Sequence, residues 1–246
     1  MSDVCIKRKI RNRLLDAGEN IFVQSDDKCI DKCKSLKARA DANEAFGAEL
    51  KKGKKADAQR GYEIACKEWM DVRSFGQVFA FKGSELSLGI RGPVSVQPAF
   101  SVDPIDITSM QITKSVNSED KEGKSSDTMG MKHRVDFGVY ILKGSINVQL
   151  SEKTGFTEED AEKIKEAIRT LFVNDSSSAR PDGSMVMHKL YWWKHNCKIG
   201  QYSSHKVHNS IEIKKKEGVR NPRKIEDYEI ICHELPGLAV EEYEGL

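Results

Sequence analysis

Two runs of alternating apolar residues, separated by a polar stretch, limit the fold of this chain more than any other feature. The first run follows Ile90–Pro93 and ends near Ile112, and the second run extends from Phe137 to Leu150. Apolar side chains at every second position fit a strand with one buried face. The two runs therefore predict one long hairpin. Its polar end, residues 117–134, has no apolar face that could join a core, so we expect it to contact another molecule.

The charge of the chain is high, balanced and unevenly distributed. Charged residues make up 32% of the 246 residues and the net charge is only +2, so a nucleic-acid site would have to be a local cluster of cations. Residues 1–13 carry five cations against Asp3 alone, whereas residues 225–246 carry seven acids and no Lys or Arg. These opposite ends fit either head-to-tail association of copies or two unrelated solvated faces.

Several function classes are disfavoured by missing patterns. No apolar run approaches the roughly 20 residues of a membrane span, and Met1–Asp3 begins no signal peptide. The six cysteines are scattered, which is typical of reduced thiols in a cytoplasmic protein. Cys29 and Cys33 form the one close pair, and no further ligand pair follows at a zinc-site spacing. Gly123–Ser125 resembles the end of a phosphate loop, but Ser118 stands where that motif needs glycine. We expect neither a metal nor a cofactor.

The start of the chain predicts a helix from an N-cap at Ser2 to about Asp16. Ile6, Ile10 and Leu14 lie four residues apart and form its buried stripe. Its cations are Lys7, Arg8, Lys9, Arg11 and Arg13. They form either a solvated surface or a face that contacts phosphates, which suit guanidinium forks and ammonium groups.

Further elements follow from capping and periodicity. Thr157 before three acids is a capping-box-like start of a helix that reaches about Leu171. Residues 19–70 predict a helical insertion that opens with a short strand at Ile21–Val23. Further strands are predicted within 73–81, after a turn, and over Met185–His195, Val207–Ile213 and Tyr228–Leu235. Trp192 and Trp193 must point to opposite faces of their strand, where they either pack or stack a base. A second basic run reads as a solvated loop: Lys214, Lys215, Lys216, Arg220, Arg223 and Lys224.

This order of elements indicates an α+β fold. A strand ahead of the first helix would complete the ferredoxin-like, RRM-like βαββαβ core, with the helical insertion and the long hairpin added to it. Many RNA-binding proteins share that core. Because residues 137–140 match the aromatic RNA-recognition signature only loosely, RNA binding would depend on basic residues and loops.

Five motifs occur together along residues 2–213. They are Asp3–Arg11, Arg73–Gly76, Gly89–Gln97, Ile107–Thr113 and Lys189–Lys194. With these motifs the chain resembles the type I-C CRISPR Cascade backbone subunit, a member of the RAMP superfamily. Members of that family normally carry a first strand and a Gly/Asn/Asp-rich loop before the Asp-Val-Cys helix. Here Met1 stands directly before that helix, so we expect the first strand to be missing or supplied otherwise.

The resemblance implies a non-catalytic RNA-binding protein for antiviral defence. Copies would polymerise head to tail along CRISPR guide RNA, beside other Cascade subunits, and the guide would recognise target DNA by base pairing. It implies one RRM-like domain over 1–246, with the insertion at 19–70, a hairpin thumb at 103–134 that displaces single nucleotides, and a tail at 198–246. The expected RNA contacts are Lys7, Arg8, Arg11, Arg73, Arg91, Lys132 and Arg134. Met129 and Met131 are the candidates for wedging a base, and they fit a loop cap equally well.

Two other functions stay open. A RAMP-type endoribonuclease that processes CRISPR RNA would need a histidine base or a held metal near the phosphate. The six histidines form no dyad in the sequence, and His133 beside Arg134 is the most suggestive. A protein-interaction scaffold indifferent to RNA is the third possibility.

Overall fold

Helices and strands fall into two units in the computed structural model, which describes residues 1–116 and 129–246. Unit 1 comprises Met1–Pro98, Leu142–Asn209 and Glu234–Leu246, and unit 2 comprises Ala99–Ile141 and Ser210–His233. Each unit is described by itself below.

All the longer helices belong to unit 1, and a side-chain cap marks the start of each of them except the helix at Met70–Phe75. They are α1 (Asp3–Asp16), α2 (Leu36–Ala42), α3 (Glu44–Leu50), α4 (Ala58–Glu68), α5 (Met70–Phe75), α6 (Val148–Thr154), α7 (Glu158–Arg169) and α8 (Ser204–His208). The Ser2 side chain accepts a hydrogen bond from the Cys5 backbone N–H and so begins α1. Thr157 and Asp160 form a complete capping box at the start of α7. Both predicted helix starts are confirmed. None of the described helices is long and apolar enough to cross a bilayer.

The described strands pair only in antiparallel twos. They are β1 (Gly76–Ala80), β2 (Ser87–Arg91), β3 (Val94–Val96), β4 (Phe100–Ser101), β5 (Ile107–Thr113), β6 (Met129–Val135), β7 (Tyr140–Ile141), β8 (Gly144–Ile146), β9 (Lys189–Trp193), β10 (Ile211–Lys215), β11 (Tyr228–Cys232) and β12 (Val240–Glu244). Unit 1 contains the pairs β1·β2, β3·β8 and β9·β12. Unit 2 contains β4·β7, β5·β6 and β10·β11.

The two alternating runs pair with each other, as predicted. Val94 lies opposite Ile146, and along the chain the pairs β4·β7 and β5·β6 are nested within β3·β8. The α+β class is confirmed. The four-stranded ferredoxin-like sheet stays a prediction, since each ladder in the described residues has two strands.

The core of unit 1 is an aromatic cluster formed by Phe22, Phe46, Trp69 and Phe79, each at most 2% exposed. The Phe79 ring centroid lies 4.9 Å from that of Phe22 and 4.8 Å from that of Phe46. Contacts of this kind stabilise beyond the area they bury. They attach the region before residue 70 to the β1·β2 ladder.

The prediction of a strand at Ile21–Val23 is wrong, and a buried carboxylate explains why. The backbone N–H groups of Phe22 and Val23 donate to Asp71, at 2.7 and 3.0 Å, in place of a neighbouring strand. Apolar residues in a short run cannot reveal such a partner, because it comes from a segment far along the chain.

Helix boundaries correct the end of one predicted strand and one predicted turn. The second alternating run ends at Asn147, whose side chain accepts from the Leu150 backbone N–H and begins α6 where a strand was predicted. The region before β1 is α5 in place of a turn. Asparagine is a strong N-cap, and that signal outweighs three alternating residues.

The remaining strand predictions were partly correct. The strand predicted over Met185–His195 is limited to β9. The segment Val207–Ile213 divides into the end of α8 and β10, whereas β11 lies within its predicted range. Trp192 and Trp193 face opposite sides, as predicted: the Lys165 ammonium lies 5.5 Å from the Trp192 ring, and Trp193 stacks on Tyr191.

Candidate nucleic-acid interface

Helix α1 has one buried face and one cationic face. Ile6, Ile10 and Leu14 are at most 1% exposed, which confirms the predicted stripe. Lys9 shares the buried side, where its ammonium pairs with Asp175 and lies 5.4 Å from the centre of the Phe172 ring. A lysine held in this way supports packing and is not available to a ligand.

The three predicted RNA contacts of α1 differ in how far they are engaged. Lys7 pairs with Asp3 one turn earlier at 3.3 Å. Arg8 pairs with Asp27 at 3.0 Å, with 56% of its side chain exposed, so solvent screens this pair strongly. Arg8 is therefore the cation of α1 that an incoming phosphate could most readily reach.

Arg11 holds the interior of unit 1 together. Its Nε donates to Asp71 at 2.9 Å, and the Arg11 and Asp71 side chains are 14% and 0% exposed. Its guanidinium also lies 5.0 Å from the centre of the Phe75 ring. Asp71 is the carboxylate that binds the backbone of Phe22 and Val23, so Arg11 completes the neutralisation of a buried anion.

Arg73 is likewise engaged internally. Its guanidinium makes a two-pronged contact with Asp160, at 2.9 and 2.8 Å, and Asp160 is the capping-box residue of α7. Burial alone would raise the pKa of the Asp160 carboxyl, but the Arg73 guanidinium and the Thr157 backbone N–H hold that pKa below its ordinary value. The pair joins α5 to α7.

Arg91 is exposed and lies at the end of β2, opposite Gly76 on β1. The next residue, Gly92, meets the backbone of residues 74–76 so closely that an added Cβ would lie 2.3 Å from the Ser74 carbonyl oxygen. This close approach explains the glycine of the Arg-Gly-Pro motif and presents the Arg91 side chain at the surface.

In unit 2, the β5·β6 ladder is a seven-residue ribbon whose two faces differ in chemistry. One face carries Lys132 and Arg134, and their cross-strand partners are Met110 and Thr108. The other face carries both candidate wedge residues and, after them, His133; Met129 and Met131 are 66% and 57% exposed. Because strand side chains alternate, the cations and the methionines cannot contact the same ligand surface. The rest of the predicted thumb, 117–128, lies outside the described residues.

An acidic residue, Asp136, positions one cation of this ribbon, Arg134. Arg134 donates to Asp136 at 2.7 Å, and the Thr108 hydroxyl donates to the other oxygen of that carboxylate, also at 2.7 Å. The Thr108 hydroxyl first, then Arg134 and the more distant Arg223, hold the pKa of Asp136 below its ordinary value. The Arg134 side chain is still 52% exposed.

The positive charge of Arg223 helps to lower the pKa of Asp136, so Arg223 lies near the ribbon. Arg223 belongs to the second basic run, which was predicted to be a solvated loop. Residues 216–224 follow β10 and lead through a short turn at Ile225–Asp227 to β11. Tyr228, the first residue of β11, donates to Asp103 at 2.7 Å. The Phe137 ring lies 6.5 Å from that of Tyr228. The hairpin that carries the loop is thus next to one end of the β5·β6 ribbon within unit 2, the end at which Ile107 pairs with Val135. Nothing in the local sequence signals this, because the partners lie about a hundred residues apart.

The described residues offer little to a catalytic alternative. His133 makes a 2.8 Å hydrogen bond with Ser109 across the ladder. The described residues contain no group of three or more His, Cys, Asp or Glu side chains that could hold a metal ion. All six cysteines are free thiols.

Comparison with known proteins gives an extensive match to a family model and distant matches to solved structures. A family model described as CRISPR-associated protein Cas7 matches residues 1–233. A chain of a solved structure titled "CRISPR RNA-guided surveillance complex, pre-nicking" is 19% identical, with a TM-score of 0.35. That match covers 71% of this chain, which spans only 56% of the solved chain. No curated protein matches. The family match includes every motif from Asp3–Arg11 to Lys189–Lys194 and extends from the capped first helix through β11, so the chain belongs to the family of CRISPR-associated protein Cas7.

Proposed function

We propose that this chain is a non-catalytic backbone subunit that binds CRISPR guide RNA in a type I-C Cascade complex. Copies polymerise head to tail along the RNA beside other subunits, and the guide recognises target DNA by pairing. The family match over residues 1–233 carries this proposal. The exposed cations at Arg8, Arg91, Lys132 and Arg134 support it, because they suit a phosphate backbone better than a base edge.

The internal ion pairs divide the expected contacts into two groups. Arg8 and Arg91 are exposed on unit 1, whereas Arg11 and Arg73 neutralise carboxylates that are at most 5% exposed. A cation that already satisfies a buried acid loses that interaction if it turns to a phosphate. RNA binding in unit 1 therefore depends on Arg8 and Arg91 more than on Arg11 and Arg73.

Polymerisation is tested by particle size. The protein is mixed with a single-stranded RNA and with RNAs two and three times as long, and the complexes are sized by analytical ultracentrifugation. The mass should rise in equal steps of one protein copy as the RNA lengthens. A single copy per RNA at every length would refute polymerisation.

Phosphate binding is tested by affinity across a salt series. Each single-strand phosphate contact contributes about 0.7 to the slope of log affinity against log salt. The double variant Arg8→Gln with Arg91→Gln should flatten the slope by about 1.4. The matched control is Lys54→Gln with Lys55→Gln, which removes the same charge from an exposed turn of the helical region. An equal effect of both pairs would show that net charge alone matters.

The endoribonuclease alternative predicts RNA cleavage that His133→Ala abolishes, with or without Mg²⁺. Intact RNA after prolonged incubation with the wild-type protein is the outcome expected for a backbone subunit.

A further inference from the structure

The strongest unassigned feature is the loop at 216–224, here called the basic loop. Lys216, Arg220, Arg223 and Lys224 all have exposed side chains there, and Glu217 is the one acid within the loop. Glu226 is exposed just beyond it. The loop was expected to be an unremarkable solvated segment, but the fold of unit 2 places it beside the cationic ribbon.

The basic loop is held by its own backbone. Asp227 accepts hydrogen bonds from the backbone N–H groups of Arg223 and Lys224, at 2.7 and 3.2 Å. The Lys216 backbone N–H donates to the Asp227 carbonyl oxygen at 2.9 Å, and the Val219 N–H donates to the Lys216 carbonyl oxygen at 3.1 Å. The Arg223 and Lys224 side chains take no part in these bonds. Ordering them on a ligand therefore does not require ordering the loop as well, which lowers the entropic cost of binding.

Side chains also attach the hairpin that carries the loop to one end of the β5·β6 ribbon, the end at which Ile107 pairs with Val135. Asp103, just before the ribbon, accepts from Tyr228 and pairs with Lys215 at 3.2 Å. Burial first, and then this hydrogen bond to Asp103, raise the pKa of Tyr228 to about 12, so the phenol keeps its proton at neutral pH. Phe137, just after the ribbon, packs near the same tyrosine ring.

Two acids near the cluster, Asp136 and Asp227, are already engaged. Asp136 accepts from Thr108 and Arg134, and Asp227 accepts from the loop backbone. The Arg223 charge acts on Asp136 from farther away than Arg134 does, without a hydrogen bond among those described between the two side chains. The surface therefore combines the exposed cations of the basic loop with Lys132 and Arg134 of the ribbon.

We infer that the basic loop is a second phosphate-contact site, in which Arg220, Arg223 and Lys224 bind the backbone of single-stranded RNA beside the ribbon. The inference rests on the proposed function, since it concerns the same ligand. Guanidinium forks can bind two phosphate oxygens at once, and the sequence-independent spacing of phosphates suits a cluster without aromatic stacking residues. RNA is thus contacted in unit 2 by two chain segments, of which the sequence analysis identified only one.

The test compares two triple variants of the full chain that remove equal charge. One is Arg220→Gln with Arg223→Gln and Lys224→Gln. The control is Lys51→Gln with Lys54→Gln and Lys55→Gln, on an exposed turn of unit 1. The Asp227 bonds to the loop backbone do not involve the replaced side chains, so the loop should keep its shape. Thermal unfolding of both variants checks this.

The expected result is specific to the loop variant. Three lost contacts should flatten the salt slope for single-stranded RNA by about 2 and lower its affinity about 100-fold at roughly 0.1 M salt. In the control variant, the salt slope and the RNA affinity should each change by only a small fraction of these amounts. Replacing Arg220 and Arg223 by lysine should restore most of the slope, because the charge returns.

Other outcomes overturn the inference in distinguishable ways. A loop variant with the wild-type slope and affinity would remove the basic loop from the site and leave the proposed function intact. An equal loss in the control would assign the effect to net charge. A loss of affinity that the loop variant shows only for single-stranded DNA of the same sequence would mean that the loop binds a DNA strand in place of the RNA. A wild-type protein with no salt-dependent RNA binding would refute the proposed function and this inference together.

Discussion

Replacing Arg11 by alanine should destabilise the fold, although Arg11 is among the expected RNA contacts. The substitution removes the cation from Asp71, which is 0% exposed, and leaves that carboxylate with the N–H groups of Phe22 and Val23. Breaking a fully buried ion pair costs about 3–5 kcal/mol. Arg11 is 14% exposed and two hydrogen bonds remain, so the lower end of that range applies.

Loss of the contact with the Phe75 ring adds about 0.5–1 kcal/mol. The free energy of unfolding should therefore fall by about 3.5–4 kcal/mol, and the midpoint of thermal unfolding by roughly 7–16 °C for a chain of this length. The assay is urea unfolding followed by tryptophan fluorescence, because Trp69 lies in the aromatic core.

Arg8→Ala is the matched control from the same helix. Its pair with Asp27 is exposed, and such pairs contribute about 0–1 kcal/mol. Under conditions where both variants are folded, Arg8→Ala should weaken RNA binding more than Arg11→Ala does. The reasoning is refuted if Arg11→Ala unfolds like the wild-type protein and loses RNA affinity as strongly as Arg8→Ala.

Three further predictions concern stability and use the same unfolding assay. Asp160→Asn should cost about 2–3 kcal/mol at neutral pH by breaking the contact with Arg73. Because the folded-state pKa of Asp160 is lowered, its contribution to stability is present above the ordinary carboxyl value of 3.8 and is lost as the pH falls below it. The difference in the free energy of unfolding between variant and wild type should therefore narrow at low pH, and a pH-independent difference would refute the assignment. Phe79→Ala should cost about 3–5 kcal/mol because its ring is fully buried and contacts four other aromatic rings. A loss under about 1 kcal/mol would show that the cluster does not form the core. Gly76→Ala should destabilise by more than about 1 kcal/mol, since φ is +81° and an added Cβ would lie 2.2 Å from a carbonyl oxygen. Gly18→Ala is the comparison: φ is +88° there, but an added Cβ would meet open space, so the substitution should cost less. Equal losses of stability in the two variants would contradict the steric argument.

Some elements were predictable because their signals are local. Ser2 and Thr157 begin helices by bonding to backbone three residues later, and such caps are readable in the sequence. The pairing of the two alternating runs was also predictable, since each has one apolar face and a hairpin brings them together. The strand predicted at Ile21–Val23 failed because the partner of that backbone is Asp71, which the local pattern does not contain.

The features of the candidate site also divide into those that the sequence predicts and those that it does not. Its residue types were visible in the sequence, and the position of Lys132 and Arg134 on one face and Met129 and Met131 on the other follows from strand alternation once β6 is known. The role of the basic loop was not visible, because its cations read like any solvated run until Tyr228 is seen bonded to Asp103. A cation's availability depends on which acid lies beside it, and that acid is often remote in sequence.

The sequence by itself determined where α1 and α7 begin, the apolar stripe of α1 and the mutual pairing of the two long runs, because capping and periodicity act over a few residues. Only the tertiary structure decided that Arg11 and Arg73 serve the interior whereas Arg8 and the basic loop face solvent. The physical reason is that Arg11 and Arg73 owe their roles to carboxylates 60 and 87 residues away, whose burial makes an unpaired charge costly.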